Sequence, residues 1–213
     1  MERNHTKTAV IVGAGSRIGR TIAVELAKRG FKVGIVDYGV DDARGTLEMV
    51  RKAGGTAELY CCDMHNLMEV QAMAEYFFAA WGVVDLVVNN PGVDDCGRCV
   101  GDIPVYEWEE VIGTNLLNVV YACHSFIPRM IEQGGGHIAN GTYGAGIVLA
   151  ADHVAYDMAR AGVISYTEKL KTELAPCDIG VTMLRPALID TRIIDAWLQE
   201  AGLDVGVKES VRV

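Results

Sequence analysis

The amino-acid sequence predicts a doubly wound α/β protein: a single domain built on a parallel sheet, with helices on both faces in three layers. Three observations carry that prediction. Short apolar runs alternate with stretches of helical periodicity along the chain, with no repeat, linker or change of composition. The first apolar run passes through a glycine-rich turn straight into a helix. The polar residues best suited to chemistry fall at or just beyond the carboxyl ends of the apolar runs, where such sheets bind their ligands. At 213 residues the chain suits one well-cored domain and hardly two.

Hydrophobic residues make up 50% of the chain and charged residues 22%, as in soluble globular proteins. A net charge of -9 argues against a nucleic-acid footprint, and no apolar run reaches membrane-spanning length. The polar start, residues 1–7, leads directly into a strand, so no signal peptide is expected. The 6 cysteines follow no framework pattern, and reduced thiols in a cytoplasmic protein are the expectation. Cys96-Gly97-Arg98-Cys99 is a single CxxC without a second pair, and reads as a coincidence of loop sequence.

In order, residues 8–12 are a short buried strand. The turn Gly13-Ala14-Gly15-Ser16-Arg17-Ile18-Gly19 follows, then a helical pattern from Ile22. Glycines there let backbone approach a pyrophosphate, and free N–H groups at a helix start bind it. Residues 31–36 are the second strand, ending at Asp37, which lies about 20 residues past the glycine turn, where a ribose-binding acid is expected. That carboxylate would accept from both adenosine ribose hydroxyls and repel a 2′-phosphate, which favours NAD(H) over NADP(H). A helix over 41–53, a strand over 56–61 with Asp63 just beyond it, and a helix over 66–80 follow. The fourth strand is expected over 83–89, ending in Asn89-Asn90-Pro91-Gly92, and residues 93–103 form an acidic loop. Helical periodicity over 105–133 carries an interruption. Gly134-Gly135-Gly136 ends it, and a fifth strand spans 137–140. Residues 142–152 form a small-residue loop, the next helix runs to Ala175 where Pro176 stops it, and a sixth strand covers 180–186. On that last helix Tyr156 and Arg160 are four apart and share a face. A guanidinium beside a phenol favours the phenolate, so this tyrosine is suited to acid–base work near neutral pH. His137 reads as a surface or packing histidine, Trp81 as a packing residue, and Met49, Met64, Met68 and Met73 as core or groove filling.

From residue 6 to about 191 the chain resembles the short-chain dehydrogenase/reductase family, with its Rossmann-like sheet. The features that carry the resemblance are the turn 13–19, Asn89-Asn90-Pro91-Gly92, Asn115 within Gly-Thr-Asn-Leu-Leu-Asn, Tyr156-Asp157-Met158-Ala159-Arg160, and residues 185–191. The resemblance implies a dinucleotide-binding domain over 1–191 that carries the active site, and a short tail over 192–213, a remnant of a substrate lid. It implies that Tyr156 moves the proton at the substrate oxygen and Asn115 supports a water-mediated relay. Gly13, Ser16, Arg17, Ile18 and Gly19 would hold the pyrophosphate side of the cofactor. Asp37 would hold its ribose, and Asp63 and Met64 its adenine. Asn89, Pro91, Gly92, Tyr156, Arg160, Pro186, Ile189 and Thr191 would line the rest of the nicotinamide cofactor. Pairing of subunits into a dimer or tetramer through helices 105–130 and 155–175 is likewise implied.

The departures from the family pattern bear on activity. Arg160 stands where the family has lysine; it keeps the charge but cannot release a proton. Tyr143 stands where a serine polarises the substrate oxygen, with the hydroxyl of Thr142 beside it. Arg17 replaces the middle glycine of the turn, Pro91 an alanine and Ala187 a glycine. The family usually continues past this threonine with a lid, another helix and a seventh strand. Only residues 192–213 follow Thr191 here, so either the chain is a short variant whose sixth strand forms an edge or the sequence lacks a C-terminal part.

Three functions follow from these residues. The first is an NAD(H)-dependent oxidoreductase acting on a small alcohol or ketone, with Tyr156, Arg160, Asn115 and either Thr142 or Tyr143 at the reacting centre. The second is a lyase resembling halohydrin dehalogenases, which pair tyrosine with arginine at this spacing. The third is a dinucleotide-binding protein without catalysis, in which the serine and lysine have been lost. The acidic loop 93–103 and the small apolar segment 143–153 suggest a neutral or cationic substrate with an apolar body.

Overall fold

The structure, a computed structural model, describes residues 5–92, 97–142, 153–184, 199 and 202. Six strands form one parallel sheet: β1 (Thr8–Val12), β2 (Lys32–Asp37), β3 (Thr56–Cys61), β4 (Leu86–Asn89), β5 (Gly136–Gly141) and β6 (Ile179–Leu184). Their spatial order is β3-β2-β1-β4-β5-β6. The chain winds outward from β1 in one direction, then crosses back to β4 and winds the other way. The reversal between β1 and β4 opens a crevice at their carboxyl ends. Register places Val12 beside both Val36 and Asn89, so the loops after β1, β2 and β4 leave the sheet side by side.

The inner strands β1, β2 and β4 are buried from both sides, which is why β1 and β4 read as near-continuous apolar runs, whereas the outer β3 and β6 are only partly covered. β1 shows the alternation directly. Ala9 and Ile11 pack toward α1 (Arg17–Lys28) and α2 (Val40–Lys52), with Leu26, Ala27, Ala43 and Val50 in one core. Val10 and Val12 face the opposite core, formed with α3 (Leu67–Trp81), α5 (Asn118–Glu132) and α6 (Val154–Leu174). There Phe77, Phe126, Met130, Val163 and Leu170 close over Val87, Ile138 and Val181. Gly34 in β2 leaves room for Phe77: a Cβ would meet its ring carbons at 2.8 Å. Among the described residues no helix is long and apolar enough to cross a membrane.

Several boundaries differ from expectation for local reasons. α1 begins at Arg17 rather than Ile22, because the Ser16 side chain accepts from Gly19 N and caps the helix there. β4 begins at Leu86 rather than 83. Asp85 turns its carboxylate back to accept from the backbone N–H of Thr8 at 2.8 Å and the hydroxyl at 3.1 Å, and Thr8 Oγ1 also donates to Val83 O. Side chains thus replace ladder bonds before the strand starts. The interruption expected within 105–133 is a π-turn, Gly113–Leu117, between α4 (Val105–Ile112) and α5. Met68 is 79% exposed and does not fill the core, whereas Met49 borders the hollow between α1 and α2, Met73 is fully buried and Met64 nearly so. The residues after 184, apart from 199 and 202, lie outside the described residues, and so does the expected end of the sixth strand at 185–186.

Candidate active site

The glycine turn is shaped by two close approaches. Gly13 has φ +74°, and a Cβ on it would strike the carbonyl of Asn90. A Cβ on Gly19 would strike the carbonyl of Gly13, so the first turn of α1 lies directly on the end of β1. Ser16 Oγ donates to Gly13 O at 2.8 Å, and Asn90 Nδ2 donates to Ser16 Oγ at 2.9 Å. Asn90 therefore ties the end of β4 to the turn that follows β1. The side chain of Arg17 is exposed and borders an adjoining hollow of about 520 Å³ between α1 and α2, lined also by Gly15, Arg20, Thr21 and Asp42.

Asp37 is held from two sides. Gly15 N donates to its Oδ2 at 2.8 Å and Gly39 N to its Oδ1 at 3.0 Å. Two backbone donors fix the carboxylate plane at the end of β2. Asp63, past the end of β3, accepts from the backbone N–H of His65 at 2.9 Å. These residues border one cleft of about 700 Å³ that also includes Ser16, Tyr38, Met64, Asn90, Pro91, Gly92 and Thr114. Tyr38, 76% exposed at its mouth, and Asn90 and His65 were not among the residues expected to contact a ligand.

The cleft contact expected of Asn89 falls instead to Asn90. Successive side chains on a strand face opposite ways. That of Asn89 is fully buried and donates to Asn140 Oδ1 at 2.8 Å and toward Cys123 Sγ at 3.5 Å. Asn140 in turn donates to Thr167 Oγ1 at 3.0 Å. This polar ladder joins β4, β5, α5 and α6 below the cleft. Burial pushes the Cys123 thiol up to about 12, so it is a proton-bearing packing group. His137 at the start of β5 is buried, bonded to Thr182 Oγ1 at 2.8 Å, and lowered to about 4 by desolvation, in keeping with a packing role.

Tyr156 lies in the first turn of α6 and Arg160 in the second. The guanidinium carbon of Arg160 sits 4.9 Å from the Tyr156 ring centroid, a cation–π stack. Arg160 is only 1% exposed. Its Nη1 donates to Gly141 O at 3.2 Å and its Nη2 to Pro91 O at 3.1 Å, bridging the ends of β4 and β5. Gly92 makes this possible, since a Cβ there would strike Nη2. Asn115 is fully buried in the π-turn, and its Nδ2 donates to Val111 O at 2.9 Å. Its Oδ1 would stand 3.3 Å from a Cβ on Gly92, so Tyr156, Arg160, Gly92 and Asn115 form one cluster. Thr142 turns away from it. Only 3% exposed, it points its hydroxyl at Leu184 O of β6, 3.3 Å away. Tyr143, Pro186, Ile189, Thr191 and Cys96 lie outside the described residues, and Cys99 is an exposed thiol.

A parallel sheet in this order, a glycine turn at its crevice and a tyrosine–arginine stack beside it define a nucleotide-binding α/β enzyme scaffold. The chain belongs to the short-chain dehydrogenase family: the family model described as "short chain dehydrogenase" matches residues 7–201. A "Probable oxidoreductase EphD" of Mycobacterium tuberculosis is 35% identical over 185 residues, 86% of this chain. The match spans only 31% of EphD, so the chain corresponds to less than a third of that relative. The "Uncharacterized oxidoreductase YxbG" of Bacillus subtilis is 33% identical over 195 residues, covering 92% of this chain and 71% of YxbG. Among solved structures, a metagenomic short-chain oxidoreductase in complex with NADP superposes with a TM-score of 0.86 at 30% identity, over 92% of this chain and 90% of that one. An NAD+-bound xylitol dehydrogenase superposes with a TM-score of 0.81 at 26% identity, over 85% and 70% of the two chains. The expected fold and family are therefore both found, and the family is one of oxidoreductases that use nicotinamide cofactors.

Proposed function

We propose that the protein is an NAD(H)-dependent oxidoreductase that interconverts a small alcohol and the corresponding carbonyl compound. The observation that carries this reading is the anchored carboxylate of Asp37 at the crevice, in one cleft with the glycine turn. The turn fits a dinucleotide, because Gly13 and Gly19 leave no room for side chains between backbone and cleft. Asp37 would accept from the ribose hydroxyls, and its charge opposes a 2′-phosphate. Ser16, Arg17, Ile18, Asp63, Met64, Pro91, Gly92, Pro186, Ile189 and Thr191 complete the proposed cofactor contacts, with Asn90 added.

The nicotinamide, when bound, supplies or accepts the hydride. Tyr156 gives its proton to the substrate oxygen during reduction and takes one during oxidation. Arg160 stacks on the ring and stabilises the phenolate that remains. Its proposed contact with the nicotinamide ribose competes with the two carbonyls it already holds. Asn115 supports the π-turn and the proton relay. Since the Thr142 hydroxyl is directed at Leu184 O, Tyr143 is the better candidate for polarising the substrate oxygen. A cytoplasmic setting, with the cysteines as reduced thiols, is part of this reading. Exposed Val105, Tyr106, Leu117 and Met158 on α4, the π-turn and α6 supply apolar surface for pairing of subunits.

The test is titration with NADH and, separately, NADPH, followed by turnover across a carbonyl panel. Tighter binding of NADH together with turnover is expected; no binding of either sinks the reading. A second reading, a dinucleotide-binding protein without catalysis, is favoured by the burial of Arg160. It requires NADH binding with no turnover. The double substitution Tyr143→Ser, Arg160→Lys separates the two: it raises carbonyl reduction in a decayed site and lowers it in a working one.

A further inference from the structure

His65 occupies a place that none of the proposed functions uses. Its ring lies between the loop after β3 and the π-turn. On one side its Nδ1 stands 3.3 Å from Asp63 Oδ1, which also receives the His65 backbone N–H at 2.9 Å. On the other side its Nε2 stands 3.0 Å from Thr114 Oγ1. Gly113 makes the approach possible, because a Cβ there would meet the imidazole at 2.9 Å. With the proton on Nδ1 the chain is continuous: N–H donates to the carboxylate, and Thr114 O–H donates to Nε2. A second tie runs parallel to it. The Asn118 amide, oriented by its partners, donates to Met64 O at 2.7 Å and Gly113 O at 3.1 Å. Asp63, Met64, His65 and Thr114 all border the cleft.

We propose that His65 is a positioning residue that sets the Asp63 carboxylate to read the base of the bound dinucleotide, using Thr114 on the π-turn as its anchor. This rests on the dinucleotide reading above. Both His65 donors converge on Oδ1, and no described hydrogen bond takes Oδ2. An ionised carboxylate only accepts, so the oxygen left over selects a base edge that presents N–H donors. Adenine presents an exocyclic amine there. Hypoxanthine presents a carbonyl in its place, which meets the carboxylate lone pairs, and its remaining donor, N1–H, lies one ring position away from where the carboxylate is fixed. Sites built on such a bond reject the analogue that lacks it far more strongly than apolar pockets do. His65 therefore holds a half-exposed carboxylate as a fixed acceptor, and couples the base-binding wall to the turn that holds Asn115.

The experiment compares the dissociation constants of NADH and of its hypoxanthine analogue, reduced nicotinamide hypoxanthine dinucleotide, for the full chain and for His65→Ala and Thr114→Val. The unaltered chain is expected to prefer NADH by about tenfold or more, roughly the value of one such bond. His65→Ala should bring the ratio below about threefold, with a melting temperature within about 2 °C of the parent; a general loss of structure would weaken both ligands alike. Thr114→Val removes only the anchoring hydroxyl and should move the ratio the same way, and it decides the matter if the alanine variant does not fold. An unchanged ratio in the folded variants overturns the proposal. Equal binding of the two dinucleotides by the unaltered chain overturns it while leaving the dinucleotide reading intact. Failure to bind either dinucleotide sinks that reading, and this proposal with it.

Discussion

Gly92 and Arg160 show how one missing carbon shapes a site. A buried cation needs donors matched to acceptors, and Arg160 finds them in the carbonyls of Pro91 and Gly141. It reaches them only because Gly92 has no side chain. Gly92→Ala is expected to displace the guanidinium, costing about 1–3 kcal/mol for the disrupted buried bonds. That should appear as a fall of several degrees in melting temperature and a loss of turnover of about tenfold or more. Tyr156→Phe makes the complementary change. It leaves the stack in place and removes the proton, so kcat should drop by about 10² to 10⁴ while NADH binding stays within about threefold. Equal losses in binding and kcat would place Tyr156 outside the reacting centre.

At the scale of elements, β5 and β6 meet through a histidine that is kept neutral. His137 titrates near 4 in the folded protein, below the ordinary value of 6.5, because it is buried. The unfolded chain therefore binds more protons between those two values, and stability falls as pH drops from about 6.5 toward 4. Below about 4.5 the carboxyls of Glu25 and Glu58, held low by their lysine, arginine and tryptophan partners against the opposing effect of burial, add their own losses. The window between 6.5 and 4.5 thus reports on His137. His137→Gln should flatten the slope of melting temperature against pH there, and an unchanged slope would assign it to another group. The elements themselves were largely legible: β1 and β3 have the boundaries that hydrophobic patterning predicts, and the break in 105–133 falls in the expected segment. What patterning missed was set by side chains reaching across the sheet. Asp85 shortens β4 by bonding Thr8, and nothing in a window around residue 85 reveals a partner 77 residues away. The order Asn89-Asn90 likewise does not say which amide faces the cleft until the pleat of β4 is known. His65 carries no signal in sequence because its meaning comes from a π-turn about fifty residues later.

For the whole molecule, the decisive property is that the cleft draws on loops after β1, β2, β3 and β4 together with α4, the π-turn and the start of α5. A ligand there stabilises the folded chain by mass action. At a concentration of about 100 times its dissociation constant NADH should add about 2.7 kcal/mol, or roughly 5–10 °C in melting temperature for a chain of this size. NADPH at the same concentration should add less if Asp37 excludes a 2′-phosphate, and Asp37→Ala should narrow the gap. Equal shifts for both cofactors in the unaltered chain would remove Asp37 from that role.

Cys123 gives the molecule a clock. Its sulfur lies fully buried in the amide ladder between Asn89 and Asn140, with its proton firmly held. A thiol reagent can reach it only when α5 lifts from the sheet, whereas Cys61 and Cys99 stand exposed and react at once. Cys62 is buried as well, so in a Cys62→Ala background the slow phase of labelling counts openings of this layer, read without denaturant. If such an opening also dismantles the cleft, saturating NADH slows that phase by the factor one plus concentration over dissociation constant. The lag in a colour reaction would then measure cofactor affinity from the far side of the sheet.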